Sequence, residues 1–221
     1  MFKRKLVGLL SAQETFFLWG ARQAGKTTLL KTLFPRSLWI DLLKSDQFRI
    51  FTQTPQRMRE IIQADSTIRH VVIDEIQKVP DLLDEVHWLI ESAGVHFALS
   101  GSCARKLKRG GANLLGGRAL RFELQGLSAS EIGVQFDLSR MLNHGYLPRH
   151  YLAVQPRRML NSYVSDYLKE EIAAEGLIRN LPSFSNFLSS AALSDCDIVN
   201  YSTIARDCGV SSKTVKSYFE I

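Results

Sequence analysis

The sequence lacks several features that define specialised classes of protein. Its three cysteines, Cys103, Cys196 and Cys208, form no CxxC pair and are odd in number, which excludes a disulfide scaffold and indicates free thiols in a reducing compartment. Its longest apolar runs, such as residues 15–19, are far shorter than the roughly 20 residues that cross a bilayer. We therefore predict a cytoplasmic protein without a membrane segment, long enough to bury its own core.

Charge of one sign is in excess in only one segment. The formal net charge is +6, and residues 101–121 contain six Lys or Arg and no Asp or Glu. The other 22 basic residues are balanced by 22 acidic ones. Because the excess is local, the fitting partner is a phosphate group at one site rather than a polyanion bound along the whole surface.

Apolar strands alternate with helices in the first part of the chain. Apolar runs, typical of strands covered on both faces, occur at 16–19, 38–40, 71–73 and 96–99, and residues 119–124 are predicted as a fifth strand. Helical patterns lie at 27–33, 55–64, 82–90, 128–132, 137–143, 156–175 and 183–193, with a last pair of helices from Ser202. We predict an α/β core at 1–126, with a parallel sheet sandwiched by helices, then a helical region at 127–194 and a last pair of helices within 195–221.

A glycine-rich motif follows the first predicted strand. Residues 20–27 read GARQAGKT and match G-x-x-x-x-G-K-[ST] at every fixed position, between a strand and a helix. Backbone N–H groups and the helix N-terminus can then surround phosphates, with Lys26 contacting the β- and γ-phosphates and the Thr27 hydroxyl binding Mg²⁺. The predicted nucleotide-binding residues are Gly20, Ala21, Arg22, Gln23, Ala24, Gly25, Lys26, Thr27 and Thr28.

Two carboxylates, Asp74 and Glu75, end the third predicted strand. Ligands of parallel sheets collect at the carboxyl ends of the strands, so Asp74 is expected beside the glycine-rich loop, where it binds Mg²⁺ directly or through water. Glu75 is placed to polarise an attacking water. A phosphotransferase acting on a small molecule would use Asp74 but has less need of Glu75, so the pair favours hydrolysis.

Small hydroxyl residues end the fourth predicted strand, and a basic loop follows. Ser100, with Ser102 close behind, is a candidate for sensing the γ-phosphate or orienting the water; a serine-rich turn without such a role is the alternative. The basic residues that follow are Arg105, Lys106, Lys108, Arg109 and, after two glycines, Arg118. Arg118 is the candidate arginine finger, although the segment could also be a solvated loop or a contact to nucleic acid.

The last two predicted helices have the composition of a helix-turn-helix. Ala205 is small where the helices would cross, Gly209 suits the turn, and Ser211 can cap the second helix. The side chains that the second helix would expose toward a DNA groove are Ser212, Lys213 and Lys216. Modules with so few outward lysines also serve as protein-contact domains, so DNA and another protein both stay candidate partners.

Four segments, taken in order, resemble one family. They are GARQAGKT at 20–27, VVIDEIQKVP at 71–80, LSGSCARKLKRGGANLLGGRA at 99–119 and VNYSTIARDCGVSSKTVKSYFEI at 199–221. The family that they resemble is the prokaryotic AAA-type ATPases with a C-terminal domain of unknown function. The resemblance implies a P-loop ATPase core, a small helical region and a winged helix, with ATP and Mg²⁺ as ligands. It also implies a homo-oligomer in which an arginine of one subunit, here Arg118, reaches the nucleotide of its neighbour.

These observations together predict a protein that binds and hydrolyses ATP and acts as a switch or motor on a macromolecule. One alternative is a DNA-binding regulator that ATP controls without being hydrolysed. Another is a small-molecule P-loop kinase, which needs an arginine-rich lid and a second substrate pocket that the sequence does not clearly show. Turnover of ATP without a small-molecule acceptor separates the first reading from the kinase, and binding without turnover favours the regulator.

Overall fold

The computed structural model describes residues 2–102, 107, 115–167, 172, 178 and 180–220, and within these residues the first part of the chain forms a five-stranded parallel sheet. The strands are β1 (Phe16–Trp19), β2 (Leu38–Asp41), β3 (His70–Asp74), β4 (His96–Gly101) and β5 (Leu120–Glu123). They lie in the order β2-β3-β4-β1-β5, and each neighbouring pair is parallel. All five predicted strands are confirmed, and the carboxyl ends of β1, β3 and β4 lie side by side.

Side chains alternate between the two faces of the sheet along each strand, and β1, β3 and β4, the three inner strands, are buried on both faces. Phe17 and Val71 belong to one apolar cluster, whereas Phe16, Leu18 and Val72 belong to a second, and all five side chains are fully buried. Burial on both faces explains why the strands read as continuous apolar runs in the sequence. It also confirms the predicted α/β class.

Among the described residues, four α-helices lie in the connections from β1 to β4. They are α1 (Lys26–Leu33), α2 (Ser45–Gln53), α3 (Arg57–Ala64) and α4 (Leu82–Ala93). The apolar spacing predicted α1, α3 and α4, and α4 ends where Gly94 takes the left-handed conformation that stops a helix. Helix α2 was not predicted from the sequence. Phe51 is its one buried residue, and the rest of its surface is polar or only partly covered, so it gives a weak sequence signal.

Three short helices follow β5 and pack within the same unit as the sheet. They are α5 (Ala129–Ile132), α6 (Leu138–His144) and α7 (Pro148–Tyr151). Tyr151 is 1% exposed, packs with Leu127 and Ile132, and donates its hydroxyl hydrogen to the carbonyl of Gln135 at 2.8 Å. The chain divides into two compact units, Met1–Ala153 and Val154–Ile221, so the first unit extends past the division predicted after residue 126.

The second unit, Val154–Ile221, is helical. The helices among its described residues are α8 (Pro156–Tyr167), α9 (Leu181–Leu193), α10 (Tyr201–Cys208) and α11 (Ser212–Phe219). Most of the predicted helix beyond Tyr167 lies outside the described residues. Phe184, Phe187 and Tyr218 form an aromatic core with Ala205 and Val215. Among the helices that the structure describes, none combines the length and apolarity needed to cross a bilayer.

The last two helices are both capped, and the cap at Ser211 and the turn at Gly209 are those predicted for a helix-turn-helix. The Asn200 side chain accepts hydrogen bonds from the first turn of α10, and the Ser211 side chain accepts one from Thr214 in α11. Gly209 is in the left-handed conformation at the turn between them. The helix pair is therefore present, and the wing of a winged helix stays a prediction.

Candidate functional site

The glycine-rich loop, residues 20–25, joins the end of β1 to the start of α1. A Cβ atom on Gly20 would lie 2.3 Å from the carbonyl oxygen of Leu124, so only glycine allows the chain to pass β5 this closely. Lys26, Thr27 and Thr28 then form the first turn of α1, where backbone N–H groups have no partner within the helix and the helix dipole favours anions. The loop and this turn together bring all nine predicted nucleotide-binding residues to one edge of the sheet.

The ammonium group of Lys26 lies against the loop. Its Nζ donates hydrogen bonds to the carbonyls of Gly20 at 2.7 Å and Ala21 at 3.1 Å, and the side chain is only 6% exposed. A buried ammonium ion is stable only with such partners. The positive charge is therefore held at the loop, where an anion approaching the N-terminus of α1 would meet it.

Thr27, Asp74 and Ser100 form a hydrogen-bonded cluster across three elements. The Thr27 hydroxyl donates to Oδ2 of Asp74 at 2.6 Å, and the Ser100 hydroxyl donates to Oδ1 of the same carboxylate. Asp74 and Ser100 are opposite each other in the β3–β4 register, and both are buried. The hydroxyl of Ser100 is thus directed at Asp74, so it orients this carboxylate in the structure.

Glu75 lies where the chain leaves β3. Its backbone has φ 63° and ψ 44°, a left-handed conformation that is uncommon for residues other than glycine and that often marks functional positions. Its side chain is half-buried, and Oε2 accepts a hydrogen bond from the amide of Gln77. Strand β3 therefore presents a buried carboxylate, Asp74, followed at once by a more accessible one.

An apolar cleft of about 240 Å³ opens beside the loop. The side chains and backbone that line it are Phe2, Arg4, Ala24, Gly25, Thr28, Leu29, Pro148, Arg149 and Leu152. Sequence reasoning missed the contributions from residues 2–4 and 148–152, because these segments are distant in the chain from the loop and carry no recognised motif. The cleft adjoins the loop through Gly25 and the first turn of α1.

Arg4 connects the N-terminal segment, the loop and the chain after β5. Its guanidinium donates to the carbonyls of Ala24 at 2.7 Å, Gln125 and Gly126, and to Oε1 of Glu131 at 3.1 Å. Burial alone would raise the pKa of Glu131, but hydrogen bonds from the Ser128 and Lys5 backbone amides and from Arg4 outweigh it and lower the pKa. Because Arg4 is buried, these hydrogen bonds hold the loop at Ala24 to the chain that follows β5.

Arg118 is not beside its own loop. It precedes β5, whose first residue pairs with the first residue of β1, whereas the loop follows the last residue of β1. The length of β1, at about 3.3 Å per residue, therefore separates Arg118 from the loop of the same chain. Its guanidinium donates to Glu91 on the surface, and this hydrogen bond, together with the charge of Arg118, lowers the pKa of Glu91.

The remaining predicted basic and surface residues divide into two groups. Arg105, Lys106, Lys108 and Arg109 lie outside the described residues. Ser212, Lys213 and Lys216 are exposed on α11 in the second unit. Among the residues that the structure describes, no three His, Cys, Asp or Glu side chains form a metal-binding group, so a metal at this site would depend on Thr27, Asp74, phosphate oxygens and water.

The parallel sheet, the glycine-rich loop and the Thr27–Asp74 pair define a nucleotide-binding protein with a P-loop fold. The family comparison is more specific: the model of the AAA domain matches residues 12–133, more than half of the chain, and the chain belongs to this family. A second model, a domain of unknown function, matches residues 135–221. No curated protein matches the sequence significantly.

Solved structures share the fold at low sequence identity. A Walker-type ATPase of Pyrococcus abyssi has a TM-score of 0.51 and 12% identity, with 100% of this chain and 96% of that chain covered. AMPPCP-bound DnaA from Aquifex aeolicus has a TM-score of 0.47 and 13% identity over 98% of this chain and 84% of that chain. A Bacteroides Pif1 helicase in complex with ADP-AlF3 and single-stranded DNA has a TM-score of 0.42 and 14% identity, with 90% of this chain and 58% of that chain covered. The first of these supports the fold assignment.

Proposed function

We propose that this protein binds Mg-ATP at the loop and hydrolyses its terminal phosphoanhydride bond, and that the cycle of binding and hydrolysis drives a switch or motor acting on a macromolecule. One observation carries the proposal. The Lys26 ammonium, the Thr27–Asp74 pair and the Glu75 carboxylate all lie at the carboxyl ends of β1 and β3, around the N-terminus of α1. Hydrolysis of a nucleotide needs these three functions at one place.

Each group has a separate role in this proposal. The backbone N–H groups of the loop and of the first turn of α1 bind phosphate oxygens. Lys26 exchanges its carbonyl partners at Gly20 and Ala21 for the β- and γ-phosphates. Glu75 accepts a proton from the water that attacks the γ-phosphate, which is general-base catalysis. The apolar cleft beside Gly25 takes the base and sugar of the nucleotide.

The residues of the site fit Mg²⁺. The Thr27 hydroxyl and the Asp74 carboxylate lie 2.6 Å apart and offer the hard oxygen atoms that this ion prefers. When bound, Mg²⁺ neutralises charge on the β- and γ-phosphate oxygens. Asp74 would hold the ion directly or through water, and Ser100 would keep the Asp74 carboxylate oriented through its hydrogen bond.

Replacing Lys26 by alanine is expected to weaken Mg-ATP binding by about 100-fold or more while the chain stays folded. Hydrogen bonds to charged groups contribute roughly 1.5–3 kcal/mol each, and Lys26 would make at least two with phosphates. Titration calorimetry measures the affinity, and circular dichroism checks the fold. Lys31→Ala is the matched control, because Lys31 is an exposed lysine in the last turn of the same helix. Equal ATP affinity in folded Lys26→Ala and wild type would contradict the assignment of the loop.

A DNA-binding role is the second candidate, and the exposed lysines of α11 are the observation that favours it. Lys213 and Lys216 are exposed on the second helix of a capped helix pair. Against this, residues 154–221 contain seven basic and eight acidic residues, so the second unit has no general excess of positive charge. DNA recognition would therefore depend on α11 itself.

The double variant Lys213→Ala/Lys216→Ala is expected to lose duplex DNA binding and to lower the salt dependence, because each phosphate contact contributes roughly one counterion to the slope. Fluorescence anisotropy of a labelled duplex at several salt concentrations measures both quantities. Arg157→Ala/Arg158→Ala, two exposed arginines on α8, is the control. No binding by the wild type at low salt, together with a hydrolysis rate that DNA does not change, would remove the DNA-binding role.

A further inference from the structure

The side-chain amide of Gln77 donates a hydrogen bond to Glu75, the residue that follows β3. Gln77 follows Glu75 by two residues in a short 3₁₀ turn, Ile76–Lys78, and is 8% exposed. Its Nε2 donates one hydrogen bond to Oε2 of Glu75 and another to the hydroxyl of Ser102 at 3.3 Å. The side chain of Glu75 is therefore held by a buried donor, although Glu75 itself is only half-buried.

Gly101, the last residue of β4, makes room for this amide. A Cβ atom at position 101 would lie 2.2 Å from Oε1 of Gln77 and 2.7 Å from Cζ3 of Trp19. A rotation of the Gln77 side chain could relieve the first contact but not the second, because the Trp19 ring is packed in the core. Glycine at this position thus allows the Gln77 side chain to lie against the end of β4.

The side-chain oxygen of Gln77 is less well satisfied than its nitrogen. Its Oε1 is buried and has no hydrogen-bond partner among the described residues. A buried acceptor without a partner carries a desolvation penalty, and an apolar side chain of the same length would avoid it. Because proteins seldom keep a buried polar atom without a partner, this one indicates a role for Gln77 in the site.

We propose that Gln77 is a positioning residue for ATP hydrolysis: it fixes the Glu75 carboxylate at the place where the attacking water is activated. The inference rests on the proposed role of Glu75. A glutamate has three rotatable side-chain bonds, so its carboxylate occupies many positions unless a neighbour holds it. Gln77 supplies this restraint from a buried position at the end of β4, and it makes no contact with the nucleotide in the proposal.

Gln77→Met is the first test, because methionine has a similar length and no hydrogen to donate. We expect kcat for ATP hydrolysis to fall about 10–100-fold, since a misplaced catalytic group can cost about 100-fold. The affinity for Mg-ATP should stay within two-fold of wild type, and the melting temperature should not fall, because the buried acceptor is gone. Gly101→Ala should lower kcat similarly by displacing the amide, and Gly8→Ala, where nothing lies within 4 Å of the added Cβ, is the matched control.

A double-variant cycle separates positioning from a structural role. If Gln77 acts through Glu75, Glu75→Gln/Gln77→Met should be no slower than Glu75→Gln alone. If Gln77→Met does not fold, Gln77→Leu carries the same test, because leucine also has no hydrogen to donate and adds no charge beside Glu75. A kcat of Gln77→Met within three-fold of wild type, or a further loss in the double variant, would overturn the proposal while leaving Glu75 in place. Absence of hydrolysis by the wild type would instead overturn the proposed function, and this inference with it.

Discussion

Replacing Glu75 by glutamine is expected to leave Mg-ATP binding within about two-fold of wild type and to lower the hydrolysis rate by about 10²–10⁴-fold, the range that general-base catalysis contributes. Glutamine keeps the shape of the side chain and can keep a hydrogen bond with Gln77, but its amide cannot accept a proton from water. Binding depends on the loop and on Lys26, which this substitution does not touch. Titration calorimetry and a phosphate-release assay measure the two quantities.

The control for this prediction is Glu60→Gln. Glu60 is an exposed glutamate of α3 that pairs with Arg57, so the same chemical change is made away from the site. We expect unchanged binding and turnover. Turnover of Glu75→Gln within a few-fold of wild type would show that another residue activates the water, and that the left-handed conformation of Glu75 has a structural cause.

The second prediction with a large effect concerns Arg118. We expect Arg118→Ala to keep its affinity for ATP and to lose about 10³–10⁵-fold in turnover, the effect of removing an arginine finger. Arg118 is separated from its own loop by the length of β1, so we propose that it acts on the nucleotide of a neighbouring copy. The ion pair with Glu91 is exposed, and such pairs contribute little to stability. Loss of activity would therefore not reflect unfolding.

Mixing two inactive variants tests action between subunits. A mixture of Arg118→Ala and Lys26→Ala should regain partial activity, because the intact loop of one chain can be paired with the intact arginine of the other. Glu91→Gln removes the ion pair, keeps Arg118 and should retain full activity. If Arg118→Ala is as active as wild type, Arg118 takes no part in hydrolysis and is a surface residue only. Two inactive variants without rescue would contradict action in trans.

The strands and the loop could be predicted from the sequence because both are local signals. The fixed spacing of residues 20–27 defines a backbone conformation, and the continuous apolar runs follow from burial on both faces of the sheet. Asp74 could be placed beside Thr27 for a topological reason, since neighbouring parallel strands end at the same edge. Their separation of 2.6 Å agrees with that expectation.

Contacts between distant segments could not be predicted in the same way. Arg4 and Phe2 belong to a charged and apolar N-terminal stretch whose pattern gives no indication that it packs beside residues 24 and 151. The packing of residues 127–153 with the sheet depends on short helices, each with few buried side chains. Gln77 stands in an ordinary-looking turn, and only the missing Cβ of Gly101 reveals where its amide fits.

For Ser100, the sequence predicted the position of the side chain but did not decide its role. The sequence places a hydroxyl at the end of β4, and the structure directs that hydroxyl to Asp74 in the neighbouring strand. A role in sensing the γ-phosphate stays a prediction. The alternation of side chains predicts which face a residue takes, but the identity of its hydrogen-bond partner depends on the register between strands.

The central claim is tested most directly by the initial rate of phosphate release from Mg-ATP, measured on wild type and on Lys26→Ala purified in the same way. We predict that the wild type releases phosphate in a reaction that saturates with ATP, requires Mg²⁺ and is absent in Lys26→Ala. Equal rates in the two preparations, or no release by folded wild type at saturating Mg-ATP with or without DNA, would contradict the claim that this site hydrolyses ATP.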